Sequence, residues 1–434
     1  MSKQDFTDLV LLIGTNPLPN YVVAKFFHLT NKNLQRIWLI HSEETKFSQG
    51  TGRYAENIEN VLRNEFKKSN IQYLKEALPD VSQASEIASE VKKLFSGKEA
   101  QIRSLHLNYT GGTKAMSVHV YQALNNMFKD RFSASYLDAR DYHLKFDENP
   151  DLVTGDLRNL IQLENSDLFK LHSNNNDLNP KKTYLDIIQD KSKSEAIMHY
   201  LAELANKGKV LDLRNWFNTA EQKGLFKEGK KDGNRIEGAL GGYSLSNNPE
   251  LFAYLGAFPD NDRFVDKEGN WIYNNFDSNV NSKKLKNFNQ GGWLESYVVW
   301  VLKKHIKNSD KNIISNIEFK TNEGAKFEID VLVKNGYQIC GISCGTTLKY
   351  EDGQEKLSNS IKNKGFEIIL RSFQIGGEEA RSALVTLVEP RIAANLENDL
   401  IASTGAGRNK FIVLGRNDLP EEKLWKKLEK HIYQ

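Results

Sequence analysis

The chain of 434 residues is too long for one core of ordinary size and suits two or three domains. Its 39% hydrophobic and 26% charged residues are those of a soluble globular protein and exclude a fibrous or disordered one. A net charge of +3 excludes a chain coated in basic residues for nucleic acid, while leaving room for a local basic groove.

The first apolar run, "LVLLIG", is far short of the ~20 residues a membrane span requires. No span or export signal is expected, and the expected location is the cytoplasm. "DLVLLIG" reads as a buried first strand and "PNYVVAKFFHLT" as a helix. The strand "RIWLIHS" and the long helix "GRYAENIENVLRNEFKK" follow. Then come the helix "SEIASEVKKLFSG", the strand "IRSLHLNYTGGT" with its Gly-rich end, the helix "KAMSVHVYQALNNMF" and the strand "RFSASYLDAR". Strand and helix alternating at this spacing predict a doubly wound α/β sheet over residues 1–150.

Residues 151–286 carry helical periodicity in "SEAIMHYLAELANKGKVLDLRNWFN". The polar stretches "KEGKKDGNRIEG" and "FPDNDRFVDKEGNW" complete a connector of helices and a hairpin or two. From residue 287 the texture changes. "GGWLESYVVWVLKKHI" is an amphipathic helix, and "IISNIEFKT", "FEIDVLVKN" and "YQICGISCG" are three strands. The helix "LSNSIKNKGFEIILRSFQIGG", the strands "RSALVTLV" and "KFIVLG", and the helix "PEEKLWKKLEKHI" complete an α/β/α order over 287–434. The two cysteines, Cys340 and Cys344, share one strand face; they read as buried thiols in a reducing compartment, not as a disulfide framework.

Two loops stand at the carboxyl ends of predicted strands, where open α/β sheets bind ligands. One is "GTNPLPN", Gly14 to Asn20; the other is "NYTGGTKAM", Asn108 to Met116. Gly111 and Gly112 permit a tight turn with outward N–H groups, Thr110 and Thr113 add hydroxyls, and Lys114 adds a charge at a helix start. These suit a phosphate or a ribose-phosphate backbone; the plainer alternative is a turn and a helix cap. Neither the G-x-x-x-x-G-K-[ST] spacing nor the G-x-G-x-x-G fingerprint is present. Ser42, in "HSEET", ends a third strand and can join the same crevice, whereas Asp138 and Arg140 in "YLDAR" read as a surface ion pair.

Together "LLIGTNPLPN", "IHSEET" and "LNYTGGTKAM" resemble the CRISPR-associated Rossmann-like (CARF) sensor domain, in the branch fused to a restriction-endonuclease-like domain. The likeness covers the first 150 residues and continues through "GGWLE", "EIDVLV" and "GGEEAR"; the middle has no matching motif. The resemblance implies an α/β chain: an N-terminal Rossmann-like CARF domain plus a C-terminal restriction-endonuclease-like α/β/α domain. It also implies a homodimer that binds a cyclic oligoadenylate made by a type III CRISPR complex and switches on a nuclease. By family habit the resemblance implies cyclic tetra-adenylate as the ring, and a symmetric ring of phosphates suits two copies of one loop across a twofold. Thr15, Asn16, Ser42, Thr110, Gly111, Gly112, Thr113 and Lys114 are its expected contacts.

A restriction-endonuclease-like centre holds Mg²⁺ or Mn²⁺ on carboxylates and adds a lysine. By resemblance, Glu295 in "GGWLESYVVWVLKK" is the helix glutamate and Asp330 in "KFEIDVLV" the strand aspartate of the PD-(D/E)xK pattern, and both are the expected metal ligands. An acid inside an apolar strand costs several kcal/mol if buried unpaired, which favours a functional role for Asp330 over a strand-edge charge. Glu328 precedes it by two on the same strand face.

The next strand departs from the pattern: the Glu and Lys of Glu-x-Lys fall on Ser343 and Gly345. The following helix offers Lys364, Glu367 and Arg371 on one face, with Ile361, Ile368 and Leu370 on the other. A migrated centre takes its cation from Lys364 and a carboxylate from Glu367, with Ser343 on a metal-bound water and Arg381 facing substrate phosphates. The substrate is then DNA, RNA or both, cut with little sequence preference. The alternative is an intrahelical charge network in a degraded nuclease, a sensor that binds the ring and regulates a partner or transcription.

Overall fold

The computed structural model describes residues 5–46, 49–149, 151, 153–172, 191–209, 249–256, 264–268, 270, 272, 291–320, 326–352 and 354–434. The N-terminal part runs β1 (Asp8–Leu12), α1 (Leu18–Thr30), β2 (Arg36–Ser42), α2 (Gly52–Glu65), β3 (Gln72–Leu78), α3 (Ala84–Phe95), β4 (Leu105–Asn108), α4 (Lys114–Phe128), β5 (Phe132–Leu137) and β6 (Leu144–Phe146). The sheet order is β3-β2-β1-β4-β5-β6, parallel except for β6. β1 lies at the centre and is buried along its whole length, as its unbroken apolar run requires. One face packs on α3 and α4 through Val10, Leu12, Val91 and Val120, and the other on α1 and α2 through Leu9, Leu11, Val22 and Ile58. β3 escapes the sequence reading because "QYLKEAL" is a polar edge strand, mostly half-buried or exposed.

In the middle of the chain stand a turn of helix at Leu157–Leu160, α5 (Asn165–His172), α6 (Lys191–Asn206) and α7 (Pro249–Gly256). The helix read over Ser194–Asn218 is present to Asn206, and residues 210–218 lie outside the described residues. So does the stretch "KEGKKDGNRIEG". At the end of "FPDNDRFVDKEGNW" the N–H of the next residue, Ile272, donates to the Phe264 carbonyl at 2.9 Å, closing a turn.

The C-terminal part runs α8 (Trp293–His305), β7 (Ile313–Lys320), β8 (Lys326–Asn335), β9 (Gln338–Gly345), the small hairpin β10 (Lys349–Glu351) and β11 (Gln354–Lys356), α9 (Asn359–Gly376), β12 (Arg381–Thr386), α10 (Pro390–Thr404), β13 (Phe411–Leu414) and α11 (Glu421–Tyr433). Its sheet order is β13-β12-β9-β8-β7, antiparallel from β7 to β9 and parallel from β9 to β13. α8, α6 and α11 cover one face and α9 and α10 the other, so the expected α/β/α layering holds. α10 was not read from the sequence, although Pro390 at its first turn is a helix-start signal. Leu370 departs from the expected apolar face of α9: Ile361 and Ile368 are buried, but Leu370 is 51% exposed.

A single apolar core joins the two halves, running from Leu11 and Tyr21 through Ile339 and Ile375 to Leu396. Polar contacts cross the same boundary. The Arg158 guanidinium donates to Gln338 Oε1 at 2.8 Å and stacks over the Tyr142 ring, 3.8 Å from its centroid. Arg381, expected to face substrate phosphates, is instead buried here, donating to the His431 carbonyl and the Tyr142 hydroxyl. Among the described residues no helix is long and apolar enough to cross a membrane.

Candidate functional site

Two sites stand at opposite ends of α9. The first lies above the carboxyl ends of β1, β2 and β4. The β1–α1 and β4–α4 loops meet backbone to backbone: a Cβ on Gly14 would lie 3.1 Å from the Gly112 nitrogen. A Cβ on Gly111 would lie 2.2 Å from the Leu12 carbonyl oxygen, and Gly112 has φ 77, so both positions require glycine. Beneath the loop, Asn108 Oδ1 accepts the Thr110 N–H at 3.2 Å, and Thr110 Oγ1 accepts the Leu137 N–H at 2.8 Å. Thr113 caps α4 by accepting the Met116 N–H at 3.1 Å. The N–H groups of Gly111 and Gly112 have no acceptor among the described residues, and they stand beside the positive end of α4.

Thr15, Thr113 and Lys114 are exposed at the rim of this crevice, and Ser42 is half-buried. Thr51, missed in the sequence, ties the floor together. Its hydroxyl donates to the Ile13 carbonyl at 2.9 Å, accepts the Ser42 N–H at 3.0 Å and meets Ser42 Oγ at 3.2 Å. A Thr-Gly pair before a helix was its available signal. Asn16 is turned away: its Oδ1 accepts the Leu18 N–H at 2.9 Å, and its Nδ2 is buried against Gly377. Asp138 and Arg140 form the expected ion pair at 2.6 Å, extended by Lys145, but Asp138 is buried rather than at the surface.

The second site is in the C-terminal sheet, at a break in the strand ladder. The β7–β8 register runs on both sides of Asp330 but skips its partner Asn316, which has φ 51. The β8–β9 ladder begins only at Val331 and Ile342. This opening frees the Cys344 N–H, which donates to Asp330 Oδ2 at 2.7 Å. Ser343 Oγ donates to the same oxygen at 2.9 Å, and Lys364 Nζ reaches it at 3.3 Å. Three donors thus hold Oδ2, and among the described residues none takes Oδ1. The Asn316 kink had no sequence signal beyond the tolerance of Asn for positive φ.

Glu295, in the first turn of α8, faces the same pocket. Burial, and then the Asp330 charge, push its carboxyl up to about 7, against a smaller opposite pull from Lys364. Burial works against the Lys364 ammonium, but Asp330, Cys344 and Glu295 outweigh it, so its pKa is raised and the lysine is charged. Cys344 is a buried free thiol, held far above its usual pKa by burial and by the neighbouring carboxylates, so it is neutral. Gly345 explains why the lysine comes from a helix. A Cβ there would stand 2.4 Å from Ile361 Cδ1 and 3.5 Å from Lys364 Cδ. The α9 side chain passes through the space where a β9 lysine would start. Glu367 lies apart: it is exposed and pairs with Arg371 at 3.7 Å, while that arginine stacks on Phe327.

Comparison with known proteins finds a family match for the N-terminal part and a shared fold for the whole chain. Residues 9–148 match the family model described as the Card1 CARF domain. The whole chain has the fold of protein VC1899 from Vibrio cholerae, with TM-score 0.64 at 16% identity over 98% of each chain. It is also similar to Can2 from Sulfobacillus thermosulfidooxidans, solved in complex with cyclic tetra-adenylate, with TM-score 0.58 at 15% identity over 96% of this chain and 98% of that one. At such identities the likeness shows a shared fold. No curated protein sequence matches the chain.

Proposed function

We propose, from the premise that residues 9–148 form a CARF domain of the Card1 type, that this chain is a cyclic-oligoadenylate-activated, metal-dependent nuclease of CRISPR defence. The observation that carries the catalytic half is the Lys364 ammonium 3.3 Å from Asp330, with Glu295 pressed into the same pocket. A charged lysine and two carboxylates at a break in the strand ladder are the groups phosphodiester hydrolysis needs.

The donor set suits a hard cation. Glu295 and Asp330 offer only oxygen, their mutual repulsion is relieved by a divalent charge, and Asp330 Oδ1 has no donor among the described residues. We therefore assign Mg²⁺ or Mn²⁺ to these two residues. When bound, the ion polarises the scissile phosphate and acidifies a water. Ser343 and the Cys344 amide keep the Asp330 carboxylate from rotating. Lys364 orients the attacking water and offsets the charge that builds on phosphorus. Glu367, one turn along α9 and already paired, has no direct part in this reading.

For the activator, the free amides of Gly111 and Gly112, the α4 N-terminus and Lys114 make an anion cradle. Thr15, Ser42, Thr110 and Thr113 surround it. Two chains facing across a twofold offer two cradles to one ring of phosphates, so we take cyclic tetra-adenylate and a homodimer as the working pair. The similar fold of Can2, which holds that ligand, supports the choice. Contacts to the nucleic-acid backbone without base readout give cleavage of DNA or RNA with little sequence preference and marked salt dependence.

The test is to incubate the protein with plasmid and with labelled RNA in Mn²⁺, with and without cyclic tetra-adenylate. Cleavage that requires both metal and activator supports the reading. Tight binding of the ring with no cleavage in Mg²⁺ or Mn²⁺ supports a sensor without catalysis, to which Ser343 and Gly345 in the Glu-x-Lys positions would then testify.

A further inference from the structure

Asn16 belongs to the first ligand loop, yet its side chain serves a different contact. Its Nδ2 is buried and has no acceptor among the described residues. That nitrogen lies so close to Gly377 that a Cβ on the glycine would stand 2.2 Å away. Gly377 follows α9 directly and is held at φ 68. The same point lies 3.2 Å from Glu379 Oε2, which is also buried and also without a donor among the described residues. A hydrogen-bond donor and a hydrogen-bond acceptor therefore flank one glycine, unpaired.

Leaving a buried polar group unsatisfied costs about 1–3 kcal/mol, so two side by side call for an explanation. Burial holds the Glu379 carboxyl up at about 7, a penalty that an N–H donor would relieve. α9 leads from this junction to Lys364, a stretch of helix about 20 Å long. It packs along β9 and β12 over that length, so a shift at one end is passed on rather than absorbed. Thr15, next to Asn16, is exposed in the ligand crevice.

We propose that Asn16 and Glu379 form a latent hydrogen bond that closes when the activator orders the β1–α1 loop, and that α9 carries this closure to Lys364. Asn16 and Glu379 are then positioning residues that act through Lys364 and touch neither metal nor substrate. The inference rests on the functional reading above and adds the route by which one chain couples its two sites. An equilibrium shifts only as far as the activator prefers one state, and the new hydrogen bond supplies part of that preference.

The test uses the full chain with cyclic tetra-adenylate as probe. Glu379→Ala should bind the ring within about threefold of wild type yet lose at least tenfold of the activator-stimulated cleavage. Glu379→Gln, which keeps an acceptor oxygen, should retain at least half of it. Asn16→Asp keeps the Oδ1 acceptor that starts α1 but removes the donor, and should lose stimulation as Glu379→Ala does. Hydrogen exchange over residues 372–380 should slow on addition of the ring to wild type and not to Asn16→Asp; melting curves check that each variant folds. Full stimulation of both Glu379→Ala and Asn16→Asp overturns the coupling and leaves the functional reading intact, as does unchanged exchange in a wild type that binds and cleaves. A wild type that does not bind the ring overturns the functional reading, and the coupling with it.

Discussion

Gly345 is the residue on which the proposed catalytic centre turns. A side chain there would run into Ile361, so the cation has to come from the helix that carries Ile361. Restoring the strand lysine alone, Gly345→Lys, is expected to overpack this contact at a cost of about 1–3 kcal/mol. Urea unfolding would read that loss, and a variant as stable as wild type would show that the space is open. His106 offers a second test at this scale. It is fully buried between Ser133 Oγ and Ser135 Oγ, each at 2.7 Å, and burial lowers its pKa from 6.5 to about 3. The folded chain keeps it neutral, whereas the unfolded chain takes up a proton below pH 6.5. The stability it contributes is therefore whole above pH 6.5 and is lost as pH falls toward about 3, at up to about 1.4 kcal/mol per pH unit. The difference in melting temperature between pH 7.5 and pH 5.5 should shrink in His106→Gln. An unchanged difference would contradict the buried neutral assignment.

At the scale of elements, the two candidate ligand loops depend on glycines set against neighbouring backbone, Gly14 against the Gly112 nitrogen and Gly111 against the Leu12 carbonyl oxygen. A methyl on Gly111 meets the Leu12 carbonyl oxygen, which cannot yield without moving β1. Gly111→Ala should therefore weaken binding of cyclic tetra-adenylate by at least tenfold, read by calorimetry, while the melting temperature shifts only modestly; wild-type affinity would show that the loop is not the cradle. This loop was legible in the sequence because turn glycines, a cap and a helix start are local signals. Asp330 stood out for the same reason, as an acid between "FEI" and "VLV" in a strand pattern, whereas Glu295 was marked only by the family resemblance. The polar edge strand β3 was not, because its Gln72, Lys75 and Glu76 mask the alternation. The rotation of Asn16 toward Gly377 and the burial of Arg381 depend on contacts between distant segments, which no local pattern encodes. Lys364 lies between these cases: its helix was readable, but the expected face opposite Ile361 was not, since both side chains meet Gly345, and its reach to Asp330 follows from the packing of α9 on β9.

At the scale of the molecule, the two sheets share a core and a polar junction, so they should not unfold independently. Tyr142→Phe removes the hydroxyl that Gln338 and Arg381 both reach, and should cost about 1 kcal/mol while far-UV and tryptophan signals still move together. Two separated transitions would show that the junction does not bind the halves into one unit. The same continuity is the physical basis of the proposed coupling between the two ends of α9. The central claim is that a lysine on that helix supplies the cation the strand lacks. The direct measurement is the rate of plasmid and RNA cleavage by Lys364→Ala in Mn²⁺ with saturating cyclic tetra-adenylate. The account predicts a loss of about a hundredfold or more with affinity for the ring unchanged; cleavage at the wild-type rate would contradict it.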